Sequence, residues 1–217
     1  VVAGVMRAQV QHWIDAGAAR GQPHLLGITG PPGTGKTTLT AAIVRSFGAE
    51  RVGVLPMDGF HLANAVLERL GRRARKGAPD TFDAAGFVVA VQRVAALRPG
   101  DPPVYVPDFD RALDEPVAGS HALLAGLGLI VVEGNYLGLD TAPWSRIRAL
   151  LTELWYLDSS TDERLARLTA RHIAGGRSAE AARVYAAEVD GANAGLVADA
   201  RTNSDRVLGG EILAEFE

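Results

Sequence analysis

The chain contains no cysteine. Disulfide scaffolds, thiolate nucleophiles and cysteine-bound metals are therefore excluded, while the compartment is left open. Long hydrophobic runs are also missing, and without one of about 18 residues no membrane-spanning helix is expected. Excess charge of either sign is lacking too. Lys and Arg number 22 against 25 Asp and Glu, a formal net charge of −3. No long-range field then favours nucleic acid or an anionic membrane. A local basic cluster could still meet a phosphorylated metabolite. There are no internal repeats and no low-complexity tract, and no N-K-x-D-like run of the kind that selects guanine.

What is present suits one domain with a sizeable core: 217 residues, 47% hydrophobic and 22% charged. The N-terminal stretch V-V-A-G-V-M-R-A-Q-V-Q-H-W-I has an early arginine and no n-, h- and c-region order. It reads as an amphipathic helix rather than a signal peptide. The first residue is Val1 rather than Met, so a few native residues are expected ahead of it, and a cytoplasmic location is the default expectation.

Short apolar runs alternate with helical patterns. Strands are expected at 24–29, 51–56, 127–132, 154–157 and 206–208, and helices at 36–47, 62–70, 84–97, 161–173 and 179–189. Residues 99–116 hold five prolines and five acids and read as loop, with one short strand near 104–106. Continuously apolar strands separated by helices predict a parallel sheet buried on both faces. Ligands of such sheets sit beyond the carboxyl ends of the strands.

The first strand runs into G-P-P-G-T-G-K-T-T-L, and Gly30 to Thr37 fits the P-loop pattern G-x-x-x-x-G-K-[ST]. Glycines there let backbone N–H groups turn towards phosphate oxygens, and the following helix aims its N-terminal dipole at the anion. Gly30, Pro31, Gly33, Thr34, Gly35, Lys36, Thr37 and Thr38 are the expected nucleotide contacts. Lys36 supplies charge at the β- and γ-phosphates and Thr37 a hydroxyl for Mg²⁺. The cofactors expected are ATP and Mg²⁺.

Two further strand ends carry acids. V-L-P-M-D-G-F-H delivers Asp58 and His61, and I-V-V-E-G-N-Y delivers Glu133, Asn135 and Tyr136. An aspartate at the P-loop edge of the sheet can orient an acceptor hydroxyl and take its proton. The competing reading makes Asp58 a helix N-cap. Glu133 is assigned to Mg²⁺ or its water and to the acceptor site. His61 is read either as an acceptor ligand or as a packed ring. Tyr136 and Phe60 could line the pocket or belong to the core.

Arg164, Arg167 and Arg171 are spaced i, i+3, i+7 on one helical face, followed by Gly175-Gly176 and Arg177. The arrangement reads as a lid that brings an arginine to the transferring phosphoryl group, or as a solvated charged face. Arg171 and Arg177 are the arginines chosen for the nucleotide, and Arg164 is assigned to a surface salt bridge. In R-R-A-R-K-G, Arg75 and Lys76 are the residues that could meet an acceptor phosphate. Tyr105, Asp108 and Arg111 are further acceptor candidates, with Asp110 as the alternative to Asp108.

M-D-G-F-H, R-K-G-A-P-D-T-F-D (Arg75 to Asp83), P-V-Y (Pro103 to Tyr105) and V-V-E-G-N-Y (Val131 to Tyr136) occur in this order. Together they resemble the P-loop kinase family of uridine kinase, phosphoribulokinase and the bacterial pantothenate kinases. The resemblance runs from about Leu25 to Leu208. P-D-F-D-R with E-G-N-Y-L is most similar to a branch described as nucleoside kinase-like or fructose-transport kinase-like.

The resemblance implies an α/β fold, the three-layer P-loop NTPase sandwich, with a mostly parallel five-stranded sheet of order 2-3-1-4-5 and helices on both faces. It implies Asp58 as catalytic base, Lys36 and Thr37 on phosphate and Mg²⁺, and Glu133 as the acid after the third core strand. One domain, 1–217, is expected, with an acceptor-binding insert at about 62–116 and a lid at about 164–190. P-V-Y-V-P-D-F-D-R departs from the P-V-Y-S-H of pantothenate kinases and the P-x-Y-D-F of uridine kinases, which leaves the acceptor open.

The reading is an ATP- and Mg-dependent kinase acting on a hydroxyl of a small metabolite. Nucleoside is ranked first, sugar or polyol next and pantothenate third. The alternative is a nucleotide-dependent regulatory ATPase or switch without an acceptor. A homodimer is allowed, and neither nucleic acid nor membrane is expected as a partner.

Overall fold

The computed structural model describes residues 4–217. The first three residues of the expected N-terminal helix lie outside the described residues. Its remainder forms helix α1, Val5–Arg20, which buries Met6, Val10, Trp13, Ile14 and Gly17 along one face. This is the i, i+4, i+7 stripe of an amphipathic helix.

The central sheet contains β1 (His24–Thr29), β2 (Val52–Pro56), β5 (Leu129–Glu133), β6 (Glu153–Leu157) and β7 (Arg206–Leu208) in the order β2-β5-β1-β6-β7. Every pairing in it is parallel. Counted among the sheet strands alone, this is the expected order 2-3-1-4-5. The numbering differs because a separate hairpin, β3 (Val104–Asp110) with β4 (Glu115–Leu123), intervenes between β2 and β5.

Alternation along the strands divides the core in two. In β5, Leu129 and Val131 join Met6, Trp13, Leu39 and Ile43 on one face. Ile130 and Val132 join Phe87, Val91 and Val94 on the other. Helices α1 and α2 (Lys36–Phe47) thus cover one side of the sheet and α4 (Ala84–Ala95) the other. Because side chains alternate between faces, a sheet coated on both sides must be apolar at every position, which is why these strands lack a polar alternation. The approach of α1 is set by glycine: a Cβ on Gly17 would lie 2.1 Å from the Gly128 carbonyl oxygen.

The hairpin extends the one short strand expected near 104–106 and replaces the loop expected over the rest of that segment. Prolines 107 and 116 are tolerated because a two-stranded ribbon leaves one edge of each strand unpaired. The register shifts between Val106 and Asp108, at Pro107. Asp110 accepts hydrogen bonds from the N–H groups of Ala112 and Leu113 and so closes the turn. Strand β4 is largely exposed, and its Ala-Gly-Ser composition carries no apolar alternation that could reveal it. Between β2 and the hairpin lie α3 (Asn64–Arg69) and α4. After β6 come α5 (Thr161–Ala174), α6 (Ala179–Tyr185) and α7 (Gly191–Val197), with a π-helical turn, Ala186–Asp190, joining the last two. Among the described residues no helix is long and apolar enough to cross a membrane.

Candidate active site

The site lies where β1, β2 and β5 end together. Glu133 is in register with Ile28 of β1 and with Pro56 of β2. The segments that leave these strands, the P-loop after β1 and Met57–Phe60 after β2, therefore emerge on either side of Glu133.

The P-loop backbone can only be built from glycine at its entry. Gly30 has φ 143°, and a Cβ there would lie 2.4 Å from the Leu157 carbonyl oxygen. Gly33 has φ 83°, with the Arg164 carbonyl oxygen 2.9 Å from its would-be Cβ. Helix α2 then starts at Lys36, its N-terminus facing the loop, where unpaired N–H groups and the helix dipole favour an anion. Thr34 Oγ1 donates to the Pro31 carbonyl at 3.0 Å. Lys36 is buried, and its Nζ donates to the carbonyls of Gly30 and Pro31, both at 2.9 Å. Burial lowers its pKa to about 8. The like charges of Arg171 and Arg164 act in the same direction, while Glu133 and Asp58 oppose it.

Thr37 Oγ1 donates to Glu133 Oε2 at 3.2 Å. Burial, and next the Asp58 carboxylate, push the Glu133 carboxyl up to about 7. A hydroxyl beside a carboxylate is a hard oxygen pair that suits Mg²⁺, an ion that takes few protein ligands and completes its shell with phosphate and water. Thr37 and Glu133 thus offer two of the oxygens that an Mg²⁺ shared with a triphosphate would take.

Asp58 sits in the 3₁₀ turn Met57–Phe60. The N-cap of that turn is Pro56, and no side chain caps it. The capping alternative is thereby removed. The Asp58 carboxylate is half-exposed and lies 3.7 Å from Arg111 Nη2, which reaches it from the hairpin tip. His61 is packed: its ring lies 4.0 Å from that of Phe82 and 4.9 Å from that of Phe109. Its Nδ1 is 2.8 Å from the Asp58 carbonyl oxygen, so Nδ1 carries the proton. Burial lowers the His61 pKa, partly opposed by Asp58.

Several expected site residues have other employment. Tyr105 is 62% exposed on the hairpin, because Val104 and Val106 on either side take the inward positions. Tyr136 is fully buried against Phe82 and Trp144 and donates its hydroxyl to the Gly77 carbonyl. Burial also raises its pKa. It is a core strut, the second of the two readings the sequence allowed. Arg75 is paired through both terminal nitrogens with Asp80. Lys76 is buried, donating to Asn64 Oδ1 at 2.7 Å and the Asp114 carbonyl at 2.6 Å. Asp108 accepts from the Phe109 N–H and lies 3.1 Å from His121 Nε2, while Asp110 is spent on the turn. The Asn135 carbonyl accepts from Thr29 Oγ1 at 2.9 Å.

The arginines in and after α5 divide differently from the expectation. Arg164, expected in a surface salt bridge, instead lies near enough to Lys36 to depress its pKa, as does Arg171 one heptad later. Arg177 stacks its guanidinium 4.0 Å from the centre of the Tyr185 ring. Arg167, on the same helical face but not among the arginines chosen for the nucleotide, donates to the Gly33 carbonyl at 3.2 Å and to Ser159 Oγ at 3.1 Å. It borders a cleft of about 930 Å³ lined also by Gly35, Thr38, Asp158, Ser159 and Gly210. The signal that could have found this cleft is the strand-end rule applied to β6 and β7, whose last residues are Leu157 and Leu208.

Residues 25–189 match the sequence model of the phosphoribulokinase / uridine kinase family. A candidate uridine kinase of Schizosaccharomyces pombe is 36% identical over 160 residues, spanning 70% of this chain and 67% of that protein. The uncharacterised protein YggC of Escherichia coli K12 is 35% identical over 167 residues, spanning 75% and 68%. Among solved structures, a candidate fructose transport system kinase from Silicibacter sp. TM1040 has a TM-score of 0.80 at 32% identity, over 93% of this chain and 97% of that one. The loop around Lys36, the parallel sheet that presents it and these likenesses lead to one conclusion: the chain belongs to the phosphoribulokinase / uridine kinase family of ATP-binding P-loop kinases.

Proposed function

We propose that the protein transfers the γ-phosphoryl group of ATP to a hydroxyl of a small metabolite that itself carries no phosphate. The observation that carries this reading is the meeting of Lys36, the Thr37–Glu133 pair and the Asp58–Arg111 pair at one edge of the sheet. Lys36 exchanges the loop carbonyls for phosphate oxygens. Thr37 and Glu133 would hold Mg²⁺, which would there neutralise charge on the phosphate oxygens. Asp58 orients the acceptor hydroxyl and takes its proton as the new O–P bond forms and the bond to ADP breaks. Such transfer is governed by positioning and charge more than by base strength, so a carboxylate of ordinary basicity serves. Arg171 and Arg164 face the charge that moves towards ADP, and the lid keeps water out. The cleft beside Arg167 accommodates the nucleoside end of ATP.

The basic loop supports an acceptor without phosphate. Arg72 and Arg75 share Asp80, and Arg73 and Lys76 share Asp114. Their charge is committed inside the insert, which leaves Arg111 as the cation beside Asp58. One relative is named for uridine and another for fructose transport. Nucleoside and sugar or polyol therefore rank ahead of pantothenate and of sugar phosphates.

The test is ADP release from Mg-ATP with uridine, cytidine, fructose, other polyols, pantothenate and ribulose 5-phosphate, beside the Asp58→Asn variant. The expected result is stimulation by one unphosphorylated class, lost in the variant with ATP affinity retained. Slow turnover that no acceptor raises and the variant does not change would instead favour a nucleotide-dependent switch.

A further inference from the structure

The lid and the acceptor insert are joined away from the reacting groups. The Tyr185 hydroxyl, at the end of α6, donates to the Lys76 carbonyl at 3.1 Å. On the next residue, the Gly77 carbonyl receives the Tyr136 hydroxyl, and the buried Asn193 side chain lies against the Gly77 Cα, 3.5 Å from a would-be Cβ. The loop that follows the basic cluster is thus gripped from the core by Tyr136 and from the lid side by Tyr185 and Asn193.

Tyr185 is held in turn. Its ring meets the His172 ring edge-on at 4.9 Å and carries the Arg177 guanidinium on its face. His172 Nε2 lies 2.7 Å from Asp190 Oδ2, and both side chains are largely buried. Asp190 closes the π-helical turn, an irregularity that costs helix stability and recurs at functional positions. His172 lies in α5, the helix whose Arg167 donates to the Gly33 carbonyl of the P-loop at 3.2 Å. A continuous contact path therefore runs from the phosphate site through α5 to His172, Tyr185 and the Lys76–Gly77 backbone. Contiguous packing of this kind can transmit a bias between sites.

We propose that Tyr185, buttressed by the His172–Asp190 pair, is a positioning residue that ties closure of the lid over nucleotide to ordering of the acceptor loop at Lys76–Gly77. This rests on the kinase reading above. The tie makes an ordered acceptor loop part of the closed state, so Arg171 reaches the phosphates only when the acceptor side is built. In functional terms it restrains transfer to water.

Hydrogen exchange on the full chain tests this without knowledge of the acceptor, using Mg²⁺ with the β,γ-imido analogue of ATP as the probe. The amides of Gly77, Ala78 and Thr81 are hydrogen-bonded within the loop and report its order. In the wild type the analogue should slow exchange both at 30–38 and at 75–82. In Tyr185→Phe the protection at 30–38 should persist, while the nucleotide-dependent protection at 75–82 falls about fivefold, the factor of a hydrogen bond worth ~1 kcal/mol. His172→Asn, which removes the buttress and leaves the hydroxyl, should give the same pattern. Tyr136→Phe is the structural control: it should loosen 75–82 equally with and without nucleotide. Equal nucleotide-dependent protection in wild type and Tyr185→Phe, or none at 75–82 in the wild type, overturns the inference alone. Absence of protection at 30–38 in every form overturns the nucleotide site and the kinase reading with it.

Discussion

Removing one oxygen from Tyr136 should destabilise the protein without harming its nucleotide site. The hydroxyl donates to the Gly77 carbonyl, and the ring is fully buried among Phe82, Trp144 and their neighbours. In Tyr136→Phe the ring packing survives and the carbonyl loses its partner. An unpaired buried polar group costs about 1–3 kcal/mol, so about 2 kcal/mol is expected. For a chain of this length that is about 4–8 °C in Tm. Urea denaturation should show a lower midpoint with an unchanged slope, since the surface exposed on unfolding is the same. Affinity for Mg-ATP should match the wild type. A variant as stable as the wild type but with a raised KM for its acceptor would refute the reasoning and return Tyr136 to the substrate pocket.

Arg167→Ala should weaken nucleotide binding about tenfold, the loss of its charge-assisted hydrogen bonds to the Gly33 carbonyl of the P-loop and to Ser159, with the acceptor KM unchanged; titration with ADP checks this. A pH effect follows from His61, whose folded pKa lies below the ordinary histidine value because the ring is buried. As pH falls through the ordinary value the unfolded chain gains a proton that the folded chain declines, so stability is present above that pH and is lost below it. Thermal melts between pH 7.5 and 5.5 should fall less steeply for His61→Asn, which cannot titrate; parallel slopes would dismiss burial of the ring as the cause.

The expected elements at the sheet recur in the structure with small changes of boundary, because a strand buried on both faces and a helix with one apolar stripe leave plain periodicities. Helix α2 begins at Lys36 and ends at Phe47, as the sequence pattern places it. Of the hairpin, only the start of β3 near 104–106 was legible. Strand β4 is mostly exposed, so its partner and not its own pattern makes it a strand. The strand-end acids were legible for the same reason as the strands: Asp58 and Glu133 are the polar residues on which apolar runs stop.

Sequence by itself determined the phosphate loop, the parallel layered fold and the carboxyl-edge placement of Lys36, Asp58 and Glu133, since each depends on local backbone requirements or on short-range periodicity. Tertiary structure alone decided which side chains meet. Tyr105 and Tyr136 are both tyrosines in plausible motifs, yet one faces outward from a ribbon and the other is sealed in the core. Arg75 and Lys76 carry charge in sequence, but Asp80 and Asp114 take it up in space. Arg111 reaches Asp58 only because a hairpin folds its tip back over the β2 end. Contacts between residues far apart in the chain depend on how whole elements pack, and no local pattern records that.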